Sequence, residues 1–425
     1  MRRSVYILCV SLLTVQSGVA QRMTLEESVR MALQNNAELK NARLDASMAD
    51  EEKAQAFTNF FPQVSATGAG FVGAKDLMRG DMEVPGMGSL PMSMIKKGVV
   101  ATLTALQPLY TGGQVVNGNK LAALQQEVRK LQYEMTEKDV RQNVETYFWR
   151  LVALRCNLAT LDAVDGQLDE VHRQTEQYLR AGIINRNDLL RVELKQQEVQ
   201  SQRLTLENGI ELVRMLLAQL CGAEMDSFDI VEVEIHTPEP PDAYFLPADE
   251  ALANREELAL TDRSRSVSEL QVKMERGKNL PTIAVGASGI YYNVMEKNQG
   301  NLVGLATVSV PVSSWWGGTH AIRKAEMAAQ KSRNAQQDVR EKLQIDILSA
   351  WNDLQEAYKQ IQIAQRSTEQ ADENLRLCRN QYNAGTLSLT DLLDAVTLYT
   401  QSHSGMDSAC ADYQARIAQY LRKTR

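Results

Sequence analysis

The sequence predicts a mainly α-helical protein with a transmembrane β part, built from an internal duplication. Two long stretches lack proline and repeat apolar residues at heptad spacing, which is typical of long paired helices. Four short segments, two before each long stretch, carry almost no charge and have the length of strands in an outer membrane. The same order of elements occurs twice along the chain, which indicates duplication rather than two unrelated domains.

The N-terminal residues predict a secretory signal peptide over residues 1–20. Arg2 and Arg3 precede an apolar run from Val5 to Val15, and small residues stand near Ala20. This run is too short for a membrane-spanning helix. Without the two arginines the formal net charge falls from -7 to -9, whereas nucleic-acid-binding chains are usually basic, so we expect no nucleic-acid partner.

The two repeats are predicted at residues 21–222 and 248–425. Residues 223–247 between them contain four prolines near their end and are expected to form an irregular connector. Three correspondences keep one offset along the chain, and a chance resemblance would not hold its register over that distance. The pairs that share an offset of 203 residues are Pro108 with Pro311, Gly182 with Gly385, and Asp188 with Asp391.

Each repeat contains a long helix with a heptad seam. The first helix is predicted from about Gln114 to Arg180, and some 67 residues would extend about 100 Å. No single globular core is that wide, so the seams must pack against other long helices. The seam positions are Val144, Tyr147, Leu151, Leu154, Leu158, Leu161, Leu168 and Thr175, then Ile347, Trp351, Leu354, Tyr358, Ile361, Ala364, Thr368, Ala371, Leu375, Cys378 and Tyr382.

Membrane strands are expected near residues 62–74, 98–110, 280–293 and 302–313. In the second segment Val99, Ala101, Leu103 and Ala105 alternate with the opposite face. Four strands cannot close a barrel, and an open sheet edge in lipid leaves backbone groups unsatisfied. Two copies would give eight strands and three would give twelve, of which twelve leave room for a passage. The connections at residues 76–97 and 295–301 are expected to be loops on the outer side.

No residue pattern predicts catalysis, a cofactor or a metal. Gly68, Gly70 and Gly73 spell a dinucleotide-binding pattern, but a Met- and Pro-rich stretch follows instead of a helix. The four histidines are scattered, and no nucleophile motif is present. The four cysteines of the mature chain lack metal or disulfide spacing, so we expect buried free thiols. These cysteines are Cys156, Cys221, Cys378 and Cys410.

Several motifs together resemble the TolC-like outer-membrane efflux protein family, the outer membrane factors of tripartite export systems. They are the opening TLEESVRMALQNN, the paired prolines around the strands, QPLYTGGQ, and Y-x-x-G followed by D-L-L. The resemblance implies a homotrimer with a 12-strand β-barrel in the outer membrane, four strands per chain, continued by a long periplasmic α-helical barrel. It further implies a passive, non-enzymatic channel that takes substrates from a periplasmic adaptor (membrane fusion) protein and an inner-membrane pump such as an RND or ABC transporter.

The resemblance also implies a periplasmic gate at the turns between the paired helices. Tyr382 matches the tyrosine that holds the inner helices closed, and Asp188 matches its acceptor in the neighbouring turn. Asp391 and Asp394 match the acidic rings at the constriction. In the best-known member of the family an arginine makes a second contact that holds the gate closed; Leu387 stands at the position of that arginine and Asn187 at the position of its acceptor, so we expect a weaker or differently held gate. The implied adaptor contacts are Gly182, Ile183, Ile184, Gly385, Thr386 and Leu387.

Structural explanations compete with the gate for the same residues. Asp188 and Asp391 each follow a helix-capping residue, Asn185 and Ser388, by three positions, where an acid favours the helix dipole. Gly182 and Gly385 are suited to ending helices in a left-handed conformation, and Tyr382 lies on the seam. For Asp394, beyond the capping turn, a pore position is favoured.

Two other classes of protein stay open at this point. A surface adhesin or structural coiled coil with a β-barrel anchor would need a passenger region, and a soluble periplasmic scaffold would need the four uncharged segments to be core strands.

Trp315 and Trp316 follow the last strand, where an aromatic belt would meet the membrane surface, and ordinary packing is an equal alternative.

Overall fold

The computed structural model describes residues 21–74, 79–84, 88–93, 97–233, 238–293, 298–312 and 314–425. The predicted signal peptide at residues 1–20 lies outside the described residues. The described chain is mainly helical with a small portion of β-sheet, as the sequence predicts. None of its helices combines enough length and apolar character to cross a bilayer.

The elements follow one another in two similar series. The helices are α1 (Leu25–Asn35), α2 (Ala37–Thr58), α3 (Gln114–Arg180), α4 (Arg186–Cys221), α5 (Ala248–Ala253), α6 (Glu256–Gly277), α7 (Ser314–Asn383) and α8 (Leu389–Thr424). The strands are β1 (Gln21–Met23), β2 (Gln63–Val72), β3 (Arg79–Val84), β4 (Gly88–Ser93), β5 (Lys97–Thr111), β6 (Phe228–Ile230), β7 (Thr282–Asn293) and β8 (Asn298–Ser309).

The two longest helices are α3, with 67 residues, and α7, with 70. The observed bounds of α3 confirm those predicted from the absence of proline. Every predicted seam residue of both helices is buried or half-buried. The heptad spacing therefore identified the faces along which these helices pack.

Two compact units divide the described chain. The first takes the residues up to Asn41, Glu134–Arg255 and Lys342–Arg425, and the second takes Ala42–Tyr133 and Glu256–Glu341.

In the first unit, hydrogen bonds and strand pairing join β1 and α1 to the end of α4 and to β6, which follows it. Strand β1 pairs in parallel with β6. Thr24 caps α1 in a capping box with Glu27, so the two residues satisfy each other's backbone N–H groups. At the other end of α1, the Asn36 side chain donates to the Leu220 carbonyl at 3.0 Å. Gly222 ends α4 with φ 65° against Asn35, where a Cβ atom would clash with the Asn35 backbone.

The second unit contains an antiparallel four-stranded sheet in the order β2-β5-β7-β8. The register between β5 and β7 shifts between Pro108 and Tyr110, because proline cannot donate to the ladder. Strand β8 begins and ends four residues before the predicted segment 302–313. Its pairing with β7, from Asn293 with Asn298 onward, sets those limits, so residues 298–301 predicted as part of a loop belong to the strand.

The prediction of a loop over residues 76–97 is wrong in its middle. Strands β3 and β4 pair there as an antiparallel hairpin. Antiparallel pairing rests on backbone hydrogen bonds, so the Met-, Gly- and Pro-rich composition did not reveal it. The expected irregular connector also contains regular elements, namely β6 and a 3-10 helix at Pro241–Tyr244.

Candidate functional site

The sheet of the second unit has one face that consists mainly of apolar side chains and glycine. Paired residues of neighbouring strands share a face, so the register groups every second residue of each strand together. The most exposed members are Val72 at 84%, Leu302 at 76% and Val308 at 68%. Its apolar and glycine members are Val64, Ala66, Gly68, Gly70 and Val72, then Val99, Ala101, Leu103 and Ala105, then Ile283, Val285, Ala287, Gly289 and Tyr291, then Gly300, Leu302, Gly304, Ala306 and Val308. The same register places four polar residues near the ends of this face, namely Lys97, Asn293 and Asn298 at one end and Gln107 towards the other.

The opposite face of the same sheet is rich in hydroxyl groups. Thr67 lies beside Thr102, and Thr104 lies between Ser65 and Ser288. The hydroxyl groups of Thr104 and Ser288 hydrogen-bond at 3.0 Å. The alternation predicted for Val99 to Leu106 is therefore confirmed. A sheet with one apolar and one hydroxyl-bearing face is suited to lipid on one side and water on the other.

In the first unit, the turns that follow α3 and α7 have matching geometry. Gly182 has φ 72° and Gly385 has φ 74°, which confirms the predicted left-handed helix ends. The amide of Ile183 donates to the Tyr178 carbonyl, and that of Thr386 to the Gln381 carbonyl, both at 2.9 Å. These bonds satisfy carbonyls that the ends of the helices leave free.

The acidic residues after the two turns differ in their caps. The Ser388 hydroxyl accepts from the Asp391 amide and donates to the Asp391 carboxylate at 2.7 Å, so Asp391 takes part in the cap of α8. Asp188 lies in the first turn of α4, whose N-cap Asn185 makes no side-chain capping bond. Asp394 is exposed on α8 one turn after Asp391. The capping explanation holds for Asp391, while Asp188 and Asp394 stay available for another role.

Tyr382, near the end of α7, is buried at 6% exposure within a cluster of apolar residues. Its hydroxyl lies 3.2 Å from the Thr175 hydroxyl of α3. Because Thr175 donates its own proton to the Val171 carbonyl at 2.7 Å, Tyr382 is the donor. Burial raises the pKa of Tyr382; the bond to Thr175 opposes this rise, and the neighbouring Tyr178 and, more weakly, the charge of Asp188 add to it.

The tyrosine hydroxyl is thus bonded to a threonine of its own chain, and Asp188 acts on it through its charge. Sequence reasoning placed Thr175 on the seam but missed this role. The available signal was a hydroxyl residue at a seam position, where an apolar side chain is the rule.

Two further side-chain contacts join the paired helices near the turns. Arg379 of α7 forms an ion pair with Glu170 of α3, and Arg191 of α4 donates to the Thr390 hydroxyl of α8. Neither pair was predicted from the sequence. The ion pair is largely exposed, so its contribution to stability is small.

The residues with implied adaptor contacts are mostly accessible. Ile183 is 69% exposed, and the side of each turn carrying Gly182, Gly385 and Thr386 is exposed as well. Ile184 is half-buried. Leu387 packs against the apolar cluster around Tyr382.

Trp315 and Trp316 are exposed and stay candidates for an aromatic belt at the membrane surface. The Trp315 indole donates to the Asn279 carbonyl at 3.1 Å. Within the part of the chain that the structure describes, the cysteines are free thiols; Cys221 and Cys410 are buried, and Cys156 and Cys378 are partly buried. Among the described residues no cluster of His, Cys, Asp or Glu could hold a metal ion.

Comparison with known proteins gives concordant matches over nearly the whole chain. The family model described as outer membrane efflux protein matches residues 29–223 and 248–420. The chain is 24% identical over 415 residues to the proteases secretion protein PrtF of Dickeya chrysanthemi, covering 93% of this chain and 86% of that protein. It is 21% identical over 355 residues to the outer membrane efflux protein BepC of Brucella suis biovar 1, covering 83% and 74%.

Solved structures of similar fold are more distant in sequence. The outer-membrane channel OprN superposes with a TM-score of 0.79 at 14% identity, covering 94% of this chain and 89% of that one. The outer membrane protein VceC of Vibrio cholerae gives a TM-score of 0.78 at 13% identity, covering 94% and 95%. At such identities the likeness concerns the fold alone.

Proposed function

The chain belongs to the outer membrane efflux protein family, and we propose that it forms the outer-membrane channel of a tripartite efflux or type I secretion system. The protein resides in the outer membrane and extends into the periplasm. It conducts substrates passively and performs no catalytic step of its own. The pump and the adaptor supply the energy and the coupling.

The observation that carries this proposal is the open sheet with one apolar face. Strands β2 and β8 are the two edges of the described sheet, and each pairs on one side. In lipid such edges are not tolerated, because each unpaired backbone group costs several kcal/mol. Since β2 and β8 run in opposite directions, β8 of one copy can continue antiparallel onto β2 of the next. Three copies then close a 12-strand barrel wide enough for a passage.

Unpartnered apolar side chains on the helices of the first unit support a homotrimer as well. On α4, Leu194 and Leu204 are 64% and 62% exposed, and on α7, Ile345 and Ile363 are 67% and 57% exposed. Exposed stripes of this kind mark surfaces that another protein covers. Neighbouring copies of the same chain would cover them and complete the periplasmic α-helical barrel.

We assign the gate to the turns between the paired helices. Tyr382 would hold the closed state through Asp188 of the neighbouring turn in the trimer, in addition to its bond to Thr175 of its own chain. Asp391 and Asp394 would gather three-fold around the axis and attract cations. Exposed Ile183 and its neighbours in both turns would contact the periplasmic adaptor, whose docking favours the open state.

The names of the relatives indicate two kinds of cargo. One is called a proteases secretion protein and the other an efflux protein. An RND or ABC transporter would accordingly be the inner-membrane pump. The architecture serves both, and the partner pump selects the substrate.

Fractionation and conductance measurements test the channel assignment. We expect the protein in outer membranes as a heat-sensitive trimer, and discrete conductance steps from the purified protein in planar bilayers. A soluble monomer would contradict the assignment, and an outer-membrane trimer without conductance would favour an adhesin with a barrel anchor.

A further inference from the structure

A pocket of about 320 Å³ lies between α3, α4 and α8 in the first unit. Its lining consists of hydroxyl side chains, two amides and the two leucines Leu161 and Leu206. Among the described residues that line it, none carries a formal charge. Neither the gate nor the sheet uses this pocket.

Asn157 supplies the pocket with a buried acceptor. The residue is only 9% exposed, and its Oδ1 atom has no hydrogen-bond partner among the described residues. Leaving a buried acceptor in this state is unfavourable, and such groups in folded proteins usually face a water molecule or a ligand. Asn157 therefore indicates that the pocket is built to receive a hydrogen-bond donor.

The neighbouring polar groups favour a donor too. Thr400 donates its hydroxyl proton to the Val396 carbonyl at 2.9 Å, and Thr205 donates to the Ser201 carbonyl at 3.1 Å. Both hydroxyl oxygens keep lone pairs for a further partner. The oxygens of Asn157, Thr205 and Thr400 can thus accept hydrogen bonds from a ligand with several N–H groups, and the hydroxyl oxygens of Thr160, Ser201 and Ser404 can accept as well.

The charge near the pocket has the sign that a cation needs. Asp407 follows the pocket residue Ser404 by three positions, so both lie on the same side of α8. Its carboxyl is partly buried, and burial raises the pKa of Asp407 to about 6, against the opposing effect of His403. At neutral pH most of this carboxyl is ionised although it is poorly solvated. A cation in the pocket would reduce that unfavourable energy.

We propose that this pocket binds a small organic cation of the primary ammonium class, with Asn157, Thr205 and Thr400 as its acceptors. An ammonium group has three N–H donors and no acceptor, which matches the groups that the pocket offers. A quaternary ammonium ion has the same charge but lacks the donors. A bound ammonium group would join α3, α4 and α8, independently of any role of the protein in transport.

The binding test compares ligands that differ in one property. The purified full-length protein in detergent is titrated with ethylammonium chloride by isothermal titration calorimetry, at constant ionic strength. We expect saturable binding of ethylammonium and at least tenfold weaker binding of tetramethylammonium. Equal binding of both cations would mean that surface charge alone explains the binding, and it would overturn the proposal. Absence of binding, or equal binding of glycerol, would overturn it as well.

Two variants test the assigned acceptors. Asn157→Leu should weaken ethylammonium binding at least tenfold, because it removes the buried acceptor at similar size. Asn352→Leu is the matched control, since Asn352 is exposed on α7. The control should bind like the unmodified protein.

Should the Asn157 variant fail to fold, Thr400→Val gives a second test. It keeps the shape of the side chain and removes one acceptor. Its matched control is Thr146→Val, because Thr146 makes the same bond within its own helix, to the Gln142 carbonyl at 2.8 Å. Unchanged affinity in the folded pocket variants would refute the site.

Discussion

Removal of the Tyr382 hydroxyl is the perturbation that probes the proposed gate most directly. Tyr382→Phe keeps the buried ring and its packing, and it deletes the hydrogen bond that the hydroxyl donates to Thr175. A bond of this kind contributes about 0.5–1.5 kcal/mol net. If three copies open together, the closed state loses about 1.5–4.5 kcal/mol. The open population should then rise roughly tenfold to a thousandfold, since each 1.4 kcal/mol is a factor of ten.

Single-channel recording in planar bilayers measures this change as the fraction of time in the high-conductance state. Tyr178→Phe provides a matched control in the same cluster, with ring centroids 6.3 Å from Tyr382. The Tyr178 hydroxyl accepts from Gln174 of its own helix at 2.8 Å, so its loss leaves the tie between α3 and α7 in place. The control should stay mostly closed.

The partner of Tyr382 can be identified with a double-mutant cycle. If Thr175 is the partner, Thr175→Val opens the channel as Tyr382→Phe does, and the double variant adds little. If Asp188 instead accepts the hydrogen bond of Tyr382 in the closed trimer, Asp188→Asn should raise the open population more than Thr175→Val does. Equal closed-state conductance for Tyr382→Phe and Tyr178→Phe would refute the reasoning altogether.

Three further predictions concern the sheet, the acidic turn and the pH dependence of stability. Leu103→Arg on the apolar face should cost about 2–4 kcal/mol and lower the yield of heat-sensitive trimer on gels, whereas Thr102→Arg on the hydroxyl face should leave that yield unchanged. Asp391→Asn combined with Asp394→Asn should relieve block of the conductance by multivalent cations, and persistent block would reject the acidic ring. Because the folded state raises the pKa of Asp407 from 3.8 to about 6, stability should fall as pH rises from about 4 to 6. Thermal unfolding of Asp407→Asn should then show a gain in stability of about 1 kcal/mol at pH 8, a value that allows for solvent screening, and hardly any gain at pH 4. Equal gains at both pH values would contradict this prediction.

The sequence by itself determined the features that depend on local spacing. The bounds of α3, the seams of both long helices and the left-handed ends at Gly182 and Gly385 follow from proline, glycine and heptad positions. The alternation in β5 likewise identified the apolar face of that strand. Each of these features is set within a few residues along the chain, where periodicity and backbone preference act.

The tertiary structure decided the features that join distant residues. The pairing with β7 fixed the start of β8 at Asn298, four residues before the predicted position. The contact between Thr175 and Tyr382 spans 207 positions, and no periodicity of the sequence encodes such a pairing. The pocket around Asn157 depends on three helices from two repeats. Hydrogen-bond partners of buried groups are chosen by packing in space, and that choice becomes visible only when the helices are in place.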